Sequence, residues 1–94
     1  MELRFWTDPE SGLPHIYNHG VTEEEVNYVL RWPGQDYSEG RNARAHLGQT
    51  AAGRYLKVVY VPDKVSDSVF VVTAYELRGK TLRAYRRAQR GKKR

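Results

Sequence analysis

Polar and apolar positions alternate from the first residues. Glu2-Leu3-Arg4-Phe5-Trp6 puts Leu3 and Phe5 on one side, which predicts a short strand. Asp8-Pro9-Glu10-Ser11-Gly12 is turn chemistry: proline presets φ, glycine tolerates positive φ, and Asp and Ser bond nearby backbone. Pro14 to His19 reads as a one- or two-turn helix with Gly20 at the position just past its end. The next start signal is stronger. In Val21-Thr22-Glu23-Glu24-Glu25-Val26, Thr22 is an N-cap, Glu25 closes a capping box, and Val21 faces Val26 as a hydrophobic staple. The three glutamates suit the positive end of the helix dipole, and Val26, Val29 and Leu30 make the apolar stripe. Pro33-Gly34 stops the helix, so the spacing predicts Thr22–Arg31.

Gly34 to Asn42 is polar and aperiodic and reads as a loop. The pattern then turns to β. Ala43–Thr50 is a strand, Ala51-Ala52-Gly53 a hairpin connection, and Arg54–Val61 a Val- and Tyr-rich strand. After the turn Pro62–Asp67 comes Ser68–Glu76, whose near-continuous apolarity suits a central strand covered on both faces. Leu82 and Tyr85 lie one helical turn apart, so Thr81–Gln89 reads as a short helix docked by one side. The expected order is β–α–α–β–β–β–α. The expected fold is α+β: a small antiparallel sheet of about four strands packed with two N-terminal helices and a short C-terminal helix. Residues 1–90 would form one domain and 91–94 a disordered basic tail.

Charge changes this picture. The 94-residue chain has 16 Lys plus Arg and 11 Asp plus Glu, a net charge of +5. Nine basic residues and no acid fall between Arg78 and Arg94, while the first 77 residues carry a net −4. An acidic body with a basic end points to a polyanion or an acidic partner. The absence of cysteine excludes disulfides, thiolate metal sites and a thiol nucleophile. The apolar run Val69–Tyr75 is far short of the roughly 20 residues of a membrane helix. No secretory signal is read at Met1–Thr7, so the expectation is a cytoplasmic protein with no membrane association.

The candidate chemistry follows the charge. Arg78, Lys80, Arg83, Arg86, Arg87 and Arg90 interleave with Tyr75 and Tyr85. Guanidinium forks match phosphate oxygens, and tyrosine stacks on bases or donates a hydrogen bond. Arg54 and Lys57 add cations on the β strand before them. His46 is a candidate general base or acid, weighed against an ordinary strand residue. Glu76 reads as an ion-pair partner of Arg78, or as a second candidate base. His15 and His19 share a helix face at i, i+4, but no third ligand and no His-Glu-x-x-His spacing accompanies them, so no metal is expected. The glycines form no phosphate-cradling loop and the serines no triad context, so no cofactor is expected.

Several segments together resemble a known family. They are His19-Gly20-Val21-Thr22 with Glu25-Val26, Gly48-Gln49-Thr50 with Gly53-Arg54, Leu56 and Val58-Val59-Tyr60, Val71-Val72-Thr73-Ala74, and Tyr85-Arg86-Arg87. Their order and spacing over roughly residues 15–87 resemble the BrnT-type branch of the RelE/ParE toxin superfamily. The resemblance implies a bacterial type II toxin that cleaves mRNA without metal, often at the ribosome, and is neutralised by an acidic antitoxin protein. The implied chemistry is attack of a ribose 2′-hydroxyl on the adjacent phosphate. Under it Arg78, Arg83, Arg86 and Arg87 would stabilise charge, Tyr85 or His46 would move protons, and Arg54 would bind phosphate. Two further readings stay open: a non-catalytic nucleic-acid-binding module, and an interaction protein whose basic end docks an acidic partner. A homodimer is left open as well.

Overall fold

The computed structural model describes residues 2–92. Strand β1 spans Glu2–Phe5, and a 3-10 turn spans His15–His19. Helix α1 is Glu23–Arg31. Four strands follow, β2 (Gln35–Ser38), β3 (Arg44–Gln49), β4 (Tyr55–Asp63) and β5 (Ser68–Glu76), then helix α2 (Gly79–Lys92). The sheet order is β1-β5-β4-β3-β2. β1 runs parallel to β5, and every other neighbouring pair is antiparallel.

The expected fold class needs three corrections. The sheet has five strands, not about four, and is mixed rather than antiparallel. The extra strand, β2, lies inside the segment expected as a loop. Gln35-Asp36-Tyr37-Ser38 has no apolar alternation because an edge strand pairs on one side only and is largely exposed. The segment expected as a first helix is a five-residue 3-10 turn, so α1 is the only N-terminal α-helix among the described residues. Its following Gly20 takes a left-handed φ of 70°, as the sequence suggests. The C-terminal helix is 14 residues long and runs through Gly91 and Lys92, while residues 93–94 lie outside the described region.

Local chemistry sets α1. Thr22 Oγ1 accepts from the Glu25 N–H at 3.1 Å, and Glu25 Oε1 accepts from the Thr22 N–H at 3.0 Å. Val21 and Val26 are fully buried beside this cap. The helix ends at Trp32, whose extended backbone precedes Pro33.

The main core lies between α1, the 3-10 turn and one sheet face. It joins Ile16, Val21, Val26 and Val29 to Leu56, Val58, Val69, Val71 and Ala74, with Leu3 and Phe5 of β1 against it. α1 comes so close that a Cβ on Gly48 would sit 2.9 Å from Val29 Cγ1. Side chains alternate across a strand, so Leu47, next to Gly48, points to the other face. There Leu47 joins Leu77 and Tyr85 in a second cluster, with Tyr55 and Leu82 packed on it. α2 therefore docks opposite α1. The register shift of β4 against β5 leaves Val72 as an extra residue between Val71 and Thr73, a β-bulge. No helix among the described residues is long and apolar enough to cross a membrane.

Candidate nucleic-acid interface

Helix α2 buries one stripe and exposes the rest. Leu82 and Tyr85 face the sheet, while Lys80, Arg83, Arg86, Arg87 and Arg90 stand in solvent. No acidic residue interrupts Gly79–Lys92. Arg78, just before the helix, is also exposed. The helix is attached through aromatic packing: Tyr55 and Tyr85 meet edge-on at 5.9 Å, and the Arg86 guanidinium lies 5.8 Å from the Tyr55 ring centroid.

The same sheet face carries Lys57, two residues beyond Tyr55 on β4. Lys57 Nζ donates to Glu39 Oε2 at 2.9 Å and lies 5.9 Å from the ring centroids of both Tyr37 and Tyr75. The Glu39 carboxylate pushes the Lys57 ammonium further up from its ordinary value, against the opposing pull of burial. Lys57 is thus held charged in an aromatic bracket. Farther along this face Arg4 lies 5.9 Å from the Phe70 ring. Arg4, Phe70, Arg44 and Lys64 line a cleft of about 700 Å³, with Asp63 among them.

The remaining candidates lie elsewhere. His46 is on the α1 side of the sheet, 8% exposed. Its Nδ1 is 3.0 Å from Asp36 Oδ2 and its Nε2 is 3.1 Å from the Trp32 carbonyl oxygen, so both ring nitrogens are engaged. Tyr85 is 5% exposed within the second core, and burial first, then the neighbouring Tyr55, push its phenol up. Arg54 is committed to structure. Its Nη1 donates to Glu25 Oε2 at 2.8 Å and to the Gly20 carbonyl at 3.1 Å, and its Nη2 donates to Glu76 Oε1 at 3.5 Å. Glu76 therefore pairs with Arg54 and not with Arg78 as the sequence suggested: both side chains lie on the α1 face, whereas Arg78 stands beyond the strand end.

The structure thus brings Lys57, Arg86 and the α2 basic residues to one side of the molecule. It separates from them His46 and Arg54, which belong to the other face, and Tyr85, which is interior. Sequence reasoning passed over Tyr37, Glu39 and Arg4. Tyr37 and Glu39 sit in and just after the unrecognised edge strand, where no periodicity marks them. Among the described residues no group of three or more His, Asp or Glu side chains is arranged to hold a metal. Comparison of the chain with family models, with curated proteins and with solved structures finds no match.

Proposed function

We propose that the chain binds RNA through α2 and the adjoining Lys57 face. The observation that carries this reading is an acid-free helix whose five exposed cations flank a sheet-borne lysine held charged between two tyrosines. Phosphate contacts of this kind supply sequence-independent affinity. Exposed tyrosines beside them favour single strands, whose bases are free to stack. The test is fluorescence anisotropy of a labelled RNA across a salt series. Log affinity falls linearly with log salt, and replacing Arg86 and Arg87 by alanine lowers the slope by about 0.7 for each phosphate that is no longer neutralised. A slope unchanged in the double variant would remove α2 from the interface.

A second reading, the metal-independent ribonuclease of a type II toxin, is favoured by the Lys57 bracket and by the resemblance to BrnT-type chains. In-line attack forms a bond from the 2′-oxygen to phosphorus and breaks the bond from phosphorus to the 5′-oxygen. The extra negative charge of the transition state needs a fixed cation, and Lys57 supplies one where the phosphate takes the place of the Glu39 carboxylate at its Nζ. The exposed Tyr75 or Tyr37 hydroxyl is the available proton carrier, since His46 and Tyr85 are engaged or buried. An acidic antitoxin would then cover the α2 surface. RNA incubated with the protein in a chelator reads this out: cleavage that disappears in Lys57→Ala supports it, and intact RNA with retained binding leaves the binding reading alone.

A further inference from the structure

A row of rings runs from the first strand to the Lys57 face. Trp6 and His15 meet edge-on at 5.3 Å, His15 and His19 at 5.1 Å, and His19 and Tyr75 at 6.0 Å. Tyr75 continues it, because Lys57 Nζ lies 5.9 Å from its ring and 5.9 Å from that of Tyr37. None of these rings belongs to either buried cluster. Trp6 is 41% exposed, Tyr75 36% and Tyr37 37%, and His19 is exposed as well. Large rings left in water have no reason to be lined up by core packing.

The row is also held in place. The Trp6 N–H donates to the Val71 carbonyl at 2.9 Å, and the His15 N–H donates to the Trp6 carbonyl at 2.9 Å. Asn18 Nδ2 donates to Asp8 Oδ2 at 3.1 Å, and that carboxylate oxygen lies 3.7 Å from His15 Nδ1. The main chain at Trp6 and His15 is thereby fixed, the His15 ring is held beside Asp8, and its edge-on contact orients the Trp6 indole. Side chains fixed before binding give up little entropy when a ligand stacks on them.

We infer that this row is a stacking path for the unpaired bases of single-stranded RNA, entering at Trp6 and leading to the Lys57 bracket. The inference rests on the RNA-binding reading above and extends it, because that reading needs only α2 and the Lys57 face. Every base has a π-face, so a path of this kind is tolerant of sequence and intolerant of base pairing.

The chain has two tryptophans, so Trp32→Phe leaves Trp6 as the sole one. A short oligoadenylate and its duplex with oligouridylate are added separately to this variant. The single strand quenches Trp6 fluorescence at saturation, and the duplex leaves it unchanged. In parallel, Trp6→Leu weakens single-strand binding about tenfold with the salt slope unchanged, because a stacking platform is removed while the phosphate-binding cations stay. Single-strand binding with no change in Trp6 emission overturns the stacking path while the RNA-binding reading stands. Equal quenching by the duplex also overturns it. Failure to bind either nucleic acid overturns both.

Discussion

Asp36 accepts from three side chains: Tyr60 at 2.6 Å, His46 Nδ1 at 3.0 Å, and Arg44 Nε. Partial burial works to raise its pKa, but the bonds from Tyr60, Arg44 and His46 outweigh it and hold the carboxyl below its ordinary 3.8. The Tyr60 phenol is pushed the other way, up to about 12, by burial and then by Asp36. A lowered native value means the unfolded chain binds the proton more readily. The stabilisation from Asp36 is therefore complete above its ordinary value of 3.8 and is lost as pH falls through the lower native value. The gap in urea midpoint between the parent and Asp36→Asn is accordingly widest at neutral pH and narrows in acid. A gap that stays constant would show that the cluster does not depend on the carboxylate charge. At this scale the sequence revealed little. His46 was visible as a titratable strand residue, but its engagement by Asp36 and the Trp32 carbonyl depends on residues that the chain brings from an unrecognised strand and from the end of α1.

Helix α1 was legible because its start is encoded within a few neighbouring residues. The reciprocal bonds of Thr22 and Glu25 form in the structure, so Thr22→Ala costs about 1 kcal/mol of stability, measured by thermal or urea unfolding. Gly48 marks the opposite case. Its glycine requirement comes from α1 packing onto β3, with 2.9 Å between a would-be Cβ and Val29. Gly48→Ala should destabilise by about 1–3 kcal/mol through overpacking, and Val29→Ala in the same chain should recover part of that stability. Strands β4 and β5 announced themselves through β-branched and aromatic residues, and β3 through its place before the hairpin turn at Gly53, while β2 did not, since an exposed edge needs no apolar side. The parallel placement of β1 on β5 was equally unreadable, because alternation identifies a strand without naming its neighbour.

Across the whole molecule the charge split takes on a shape. The basic residues from Arg78 to Lys92 lie on and beside one helix, docked by Leu82 and Tyr85 against Leu47, Leu77 and Tyr55 on the face opposite α1. The acidic side chains of the body are partly engaged in internal pairs, Glu25 and Glu76 with Arg54, and Asp36 with Arg44. Replacing Arg54 by alanine should leave Glu25 without its guanidinium partner and destabilise the fold by about 1.5–3 kcal/mol, with the salt slope of RNA binding unchanged. The Arg86→Ala, Arg87→Ala chain should behave in the reverse manner, with stability within about 1 kcal/mol of the parent, the Arg86 contact with Tyr55 being lost, and a reduced slope. Unfolding curves and salt-dependent anisotropy on the two proteins separate the roles.

By itself the sequence determined the caps of α1, the strand character of β3 to β5, the left-handed turn at Gly20, and the concentration of positive charge after Leu77. Each follows from residues close together in the chain, where steric and hydrogen-bonding preferences act directly. Tertiary structure alone decided which carboxylate each cation meets and which rings come together. Arg54, just before β4, and Lys57, near its start, lie three residues apart. Strand geometry sends the one into an ion-pair network with α1 and the other to Glu39, between Tyr37 and Tyr75, on the far face. That division is set by pairing register and by alternation about the strand, and register joins residues whose separation in the chain carries no local signal.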